Sequence, residues 1–301
     1  MFWGRGTEAG VADVSPDIIC AFSYSPPDAF PLFPRLEEVT WRIPAPDAFS
    51  FLRVISGPSL TTLDLSVPKI DKDVRNDPDN TNTDSHTTTQ RRAEVLALIA
   101  QLGAMCPRMK SFQWADLWHA LADIALEHAM HLRTLRKFNT HLPIVASNTL
   151  GPAPRQENDV FPGLQGLCLK ARSYGYAEIT SFLDSLPGRV RASTFEAHTS
   201  APTNVATTLP DLIKAISRRL DSDTLACITI TGDRFYEDPR IEQIAAFSVT
   251  IETLRPLLGF HNVENAELNF KRAISLVDED LLETSQSWPK LRALRLNPGE
   301  G

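Results

Sequence analysis

Trp288-Pro289-Lys290-Leu291-Arg292-Ala293-Leu294-Arg295-Leu296, near the carboxyl end of the 301-residue chain, decides the fold. It reads as Pro-x-apolar-x-x-apolar-x-apolar. The proline cannot continue a helix, and the apolar residues after it settle into the period-two alternation of a strand with one buried face. The stretch is therefore a helix stop followed by a strand start.

The same pattern recurs back to Phe33. It returns at Leu36-x-x-Val39-x-Trp41, Leu60-x-x-Leu63-x-Leu65, Met109-x-x-Phe112-x-Trp114, Leu164-x-x-Leu167-x-Leu169, Leu225-x-x-Ile228-x-Ile230 and Val263-x-x-Ala266-x-Leu268. Two weaker copies, Leu135-x-x-Phe138-x-Thr140 and Ala192-x-x-Phe195-x-Ala197, fill the gaps. Pro34, Pro58, Pro107, Pro162 and Pro289 each stand two residues before an anchor. Anchors at 36, 60, 109, 135, 164, 192, 225, 263 and 291 are separated by 24, 49, 26, 29, 28, 33, 38 and 28 residues. Most of these intervals lie near the period of leucine-rich repeats, and the longer ones require insertions. The expected fold is an α/β leucine-rich-repeat solenoid with irregular repeats: an open, curved parallel sheet with helices on its convex side.

Between the strands lie short helical patterns. Phe49, Phe51, Leu52 and Ile55 share one side of a first helix that stops at Gly57. Val95, Leu96, Ile99 and Leu102 mark a second within 90–105, and 116–130 supplies a third. Ile179, Phe182, Leu183 and Leu186 define a helix over 176–186, and Leu212, Ile213, Ile216 and Leu220 one over 209–220. Residues 239–258 hold one or two helices broken near Pro256, and 276–288 supplies the last. Residues 1–32 read as a flexible lead-in and 33–301 as the repeat domain, with polar insertion loops at 71–89 and 147–159.

Composition narrows the function. With 43% hydrophobic and 22% charged residues, the chain has ample material for a core. A net charge of -7 argues against general nucleic-acid binding, which draws on clustered Lys and Arg. No apolar run reaches the length of a membrane span, and the amino terminus lacks the apolar stretch of a signal peptide. The expected location is cytoplasm or nucleus. Cys20, Cys106, Cys168 and Cys227 stand far apart, as in reduced intracellular proteins.

No catalytic or cofactor motif is written in the chain. His128-x-x-His131, with His119 and His141 nearby, has no Cys or acidic residue at ligand spacing beside it. Asp71-x-Asp73 and Asp77-x-Asp79 lack the glycine and glutamate of a calcium loop. Asp278-Glu279-Asp280 fits the positive end of a helix dipole, and Gly4-x-Gly6 has neither the strand nor the helix of a dinucleotide site. Cys168 and Cys227 have no activating histidine in their own units and read as small neutral fillers. Catalytic, cofactor-binding and metal residues are accordingly expected to be absent.

In each unit the residues flanking the inward pair point out of the sheet. Those proposed to meet a partner are Thr40, Arg42, Asp64, Gln113, Asn139, His141, Lys170, Glu196, His198, Thr229, Glu267, Asn269 and Arg295. No large apolar side chain is among them, so a partner would be read by polar contacts. The competing expectation is an α/β enzyme whose strand-helix alternation only mimics repeats, which requires polar groups converging at strand ends.

The phrases Phe33-Pro34-Arg35-Leu36-Glu37-Glu38-Val39, Cys106-Pro107-Arg108-Met109-Lys110-Ser111-Phe112 and Trp288-Pro289-Lys290-Leu291-Arg292-Ala293-Leu294 resemble the irregular leucine-rich-repeat region of fungal (basidiomycete-type) F-box proteins, over about Phe33 to Leu296. The resemblance implies a non-enzymatic scaffold whose repeats recruit another protein for ubiquitination by an SCF-type ligase. In that family an amino-terminal F-box docks to the ligase adaptor. Residues 1–32 are short, proline-broken and without a Leu-Pro-x-Glu opening, so a Skp1-like adaptor is expected only where an F-box lies upstream.

Overall fold

The computed structural model describes residues 31–42, 51–66, 101–115, 132–142, 161–171, 175–200, 205–232, 248–270 and 273–297. The lead-in before residue 31, both polar insertions, the helix expected over 116–130 and the pair His128 and His131 lie outside the described residues.

Every anchor opens onto a strand. The strands are β1 (Glu38–Arg42), β2 (Thr62–Ser66), β3 (Ser111–Ala115), β4 (Lys137–His141), β5 (Gly166–Ala171), β6 (Thr194–Thr199), β7 (Cys227–Gly232), β8 (Asn265–Asn269) and β9 (Ala293–Leu296). They form one all-parallel sheet in which spatial order equals chain order. The sheet is open: among the described residues β1 and β9 each pair with a single neighbour. A strand can meet its successor in parallel only through a crossover, and because such crossovers are right-handed and the strand order runs one way, the connections share one face. The burial pattern agrees, because in β2, β3 and β5 to β8 buried side chains alternate with half-buried or exposed ones.

Each unit passes to the next through one recurring backbone arrangement. The carbonyl just before a strand accepts two N–H groups from the next unit. Glu37 O receives Thr61 N and Thr62 N at 2.8 and 3.1 Å, Lys110 O receives Arg136 N and Lys137 N at 2.7 and 2.8 Å, and Gln165 O receives Ser193 N and Thr194 N at 2.9 and 2.8 Å. The device appears at all eight junctions, ending with Arg292 N and Ala293 N on Glu264 O at 2.7 and 3.1 Å. Backbone groups that a lone unit would leave without partners are thus satisfied by its neighbour.

The recurring proline also has a second role. In each of its five copies the residue before it offers its carbonyl to the anchor's N–H: Phe33 O to Leu36 N, Gly57 O to Leu60 N, Cys106 O to Met109 N, Phe161 O to Leu164 N and Trp288 O to Leu291 N, each at 3.0 Å. This is a β-turn with proline at its second position, where a fixed φ favours the turn and no N–H is required. The proline aims the strand as well as ending what precedes it.

Behind the sheet lie α1 (Leu52–Ile55), α2 (Tyr176–Ser185), α3 (Val205–Arg219), α4 (Ile251–Leu254), continued by a 3₁₀ turn (Arg255–Gly259), and α5 (Asp278–Ser287). Residues 101–105 are also helical, with Leu102 buried. The apolar faces read from the sequence in α2 and α3 are buried, as are Leu52 and Ile55 of α1. Two boundaries differ from expectation. Helix α3 begins at Val205 rather than Leu209 and carries Pro210 inside it, and Pro256 converts the helical chain from α to 3₁₀ instead of ending it.

The core is a ladder of inward strand residues, Leu63, Phe112, Phe138, Leu167, Phe195, Ile228 and Ala266, with a second ladder from Leu65 to Leu268 beside it. Aromatic rings run through its middle. Phe112 lies 5.9 Å from Phe138, and Phe138 lies 5.5 Å from Phe161. Phe161 holds a left-handed φ of 56°, a cost that burial of its whole ring offsets.

Candidate interaction surface on the sheet

Strand register assembles the outward residues into rows. Thr40 stands opposite Asp64, Asp64 opposite Gln113, Gln113 opposite Asn139, Asn139 opposite Cys168, Cys168 opposite Glu196, Glu196 opposite Thr229, Thr229 opposite Glu267 and Glu267 opposite Arg295. One residue from each of the nine strands therefore forms a single line across the sheet. Two residues further along the strands, His141, Lys170, His198, Thr231 and Asn269 form a second line. Arg42 begins that level on the opposite side, paired with Ser66. The expected face is thus assembled as one surface. Thr40 and Arg295 are exposed and the middle of the line is half-buried, because side chains on strands about 4.8 Å apart shield one another.

The polar groups are already joined sideways. Asn139 Nδ2 donates to Gln113 Oε1 at 3.0 Å, and the Gln113 side chain hydrogen-bonds Asp64. Burial pushes the Asp64 carboxyl above its ordinary 3.8, with the Lys170 charge and the Gln113 hydrogen bond pulling the other way. At the far end Arg295 Nη1 donates to Glu267 Oε2 at 3.2 Å. Arg295 is well exposed and Glu267 only half-buried, so the net stabilisation of the pair is small.

The centre is more specific. His198 places Nε2 at 3.2 Å from Glu196 Oε2 and Nδ1 at 2.6 Å from Thr231 Oγ1. The donor atoms of Cys168, Glu196 and His198 all lie within 4.8 Å of one another. Burial, and then the Glu196 charge, push the Cys168 thiol up to about 12. Burial also raises the Cys227 thiol, again with Glu196 acting in the same direction. Neither cysteine has the depressed pKa of a nucleophile.

The sequence reading placed Cys168, Glu196 and His198 on this face individually and treated Cys168 as inert for want of a histidine in its own unit. The histidine comes from the next unit. The signal was present in the repeat alignment, since setting Leu167 against Phe195 puts Cys168 beside Glu196, with His198 two residues on. A search for ligand spacing along the chain cannot find a group assembled across strands. Among the described residues no helix is long and apolar enough to cross a membrane.

No protein-family model matches the chain, and no curated protein matches it either.

Proposed function

We propose that this chain is a leucine-rich-repeat solenoid that binds another protein through the polar face of its sheet, as the target-recognition part of an SCF-type ubiquitin ligase where an F-box precedes it. The observation that carries the binding role is the unbroken nine-residue line from Thr40 to Arg295. All-parallel sheets usually have both faces covered, whereas here one face carries the core and the other presents neighbouring polar groups. Nine strands at about 4.8 Å spacing span about 38 Å, and three side-chain rows, the two lines above and the one that begins Glu38, Thr62, Ser111 and Lys137, add about 14 Å. That footprint of roughly 500 Å² approaches the roughly 800 Å² one partner contributes to a standard protein interface.

Groups bonded sideways to one another before a partner arrives lose less freedom on binding, which favours recognition by polar contact. The ubiquitination role rests on the resemblance in the Pro-x-Leu phrases. Affinity purification with the full chain tests both. Proteins enriched by the wild type should fall at least about tenfold with the pair Gln113→Arg and Thr229→Arg, as expected for loss of about 1.4 kcal/mol or more at the centre of an interface. They should be retained by Lys214→Glu, on the exposed side of α3. Equal recovery with the face variant sinks the surface. A chain extended by its upstream coding segment that brings down no Skp1-like adaptor sinks the ligase role alone.

A further inference from the structure

At the centre of the polar face, three side chains of different donor chemistry converge on one another: the Cys168 side chain hydrogen-bonds Glu196, and Glu196 Oε2 lies 3.2 Å from His198 Nε2. Cys168 on β5 is the direct register partner of Glu196 on β6. His198 follows Glu196 by two residues and so leaves the sheet on the same face. A thiol, a carboxylate and an imidazole thus meet with their donor atoms within 4.8 Å of one another.

We propose that Cys168 Sγ, Glu196 Oε and His198 Nε2 form a binding site for a borderline-soft divalent cation, Zn²⁺ in the first instance, with a water in the fourth position facing off the sheet. The donor set argues for the cation class. Mg²⁺ and Ca²⁺ take oxygen ligands, whereas sulfur and imidazole nitrogen favour zinc and its neighbours. A thiolate and a carboxylate neutralise the two charges of the ion, and the imidazole adds none. The distances argue for reach. Tetrahedral zinc with bonds of about 2.0–2.3 Å holds its donors about 3.3–3.8 Å apart, so small side-chain rotations close the set.

The imidazole is also oriented as a ligand requires. Thr231 Oγ1, on the next strand, sits 2.6 Å from His198 Nδ1 and Nε2 faces Glu196 Oε2 at 3.2 Å; with a cation on Nε2, the ring proton stays on Nδ1 and is donated to Thr231 Oγ1. Outer hydrogen bonds of this kind fix the tautomer and ring direction of metal-bound histidines. The rival reading, a cysteine nucleophile with histidine and acid, fits worse. The imidazole spans Thr231 and Glu196 rather than linking an acid to the thiol.

The full chain titrated with Co²⁺, a spectroscopic stand-in for zinc, tests the site. One equivalent should give a thiolate-to-cobalt charge-transfer band that Zn²⁺ abolishes by displacement. The band should be lost in Cys168→Ser and kept in Cys106→Ser and Cys227→Ser. His198→Gln and Glu196→Gln should weaken binding at least about tenfold, and Thr231→Val by about 10–100-fold, as for loss of an outer hydrogen-bond partner. Zn²⁺ should also slow alkylation of Cys168, read by peptide mass in the wild-type chain, which needs no substitution to fold. The proposal is overturned if the wild type gives no thiolate band, if the band survives Cys168→Ser, or if Zn²⁺ leaves the alkylation of Cys168 unchanged.

Discussion

Asp64 shows how single residues bear on stability in this molecule. Its carboxyl is half-buried beside Gln113, within reach of the more distant charge of Lys170, and burial outweighs both favourable interactions. A carboxyl whose folded pKa lies above its unfolded value holds its proton more tightly in the folded state. Ionisation therefore costs stability as pH rises from about 3.8 through the raised value, and the whole cost is present at neutral pH. Asp64→Asn keeps the size and the hydrogen bond to Gln113 but removes the charge. The variant should be more stable than wild type at pH 7, with the gain vanishing below about pH 3.8. Urea unfolding at both pH values reads this directly; a variant less stable at pH 7 would show that the pull of Lys170 wins. The outward position of Asp64 was legible from its place between Leu63 and Leu65. Its raised pKa was not, because burial on an outward face comes from neighbours that the register supplies.

Among elements, the strands were the most legible and the helices the least. Even the weak copies at Leu135 and Ala192 became strands, because two inward apolar or small residues two apart suffice once neighbouring units supply both sides. Helix boundaries escaped for a related reason. Pro210 marks a plausible helix start, yet α3 begins five residues earlier, since burial of Leu209, Leu212, Ile213 and Ile216 outweighs one missing backbone donor. Helix α5 is the odd member. Leu281 and Leu282 remain 44% and 58% exposed, and Thr284 is the buried residue of the helix. What ties this last unit down is the residue after the helix. Trp288 is buried, donates Nε1 to Leu257 O at 3.2 Å and opens the turn that leads to β9. The same carbonyl also accepts Phe260 N at 3.1 Å, so it is not left bare when the indole is removed. Trp288→Phe should therefore cost about 1–2 kcal/mol, part hydrogen bond and part lost packing, measured as a shift in denaturant midpoint. A cost near zero would mean that the indole only fills space.

For the molecule as a whole, the decisive property is that among the described residues each strand pairs only with its neighbours in chain order, so stability depends on where in the row a residue stands. The sequence pattern cannot show this, because it writes Leu167 and Leu294 identically, each three residues after an anchor. In the structure Leu167 lies between the units of β4 and β6 and is fully buried. Leu294 has one neighbouring strand, β8, and is only partly buried. In such arrays the total is close to a sum of unit and nearest-neighbour terms, and an end unit lacks one of those neighbours. Truncating a fully buried leucine costs about 2–5 kcal/mol, through lost transfer energy and the cavity left behind. Leu167→Ala should fall in that range, whereas Leu294→Ala should cost about half as much, having less area to lose and open space into which the site can relax. Equilibrium unfolding in urea supplies both values, and native-state hydrogen exchange should show β9 opening before β5. Equal costs at the two positions, or uniform exchange along the sheet, would mean that the strands act as one cooperative block and that the row of units is a pattern of sequence with no counterpart in its energetics.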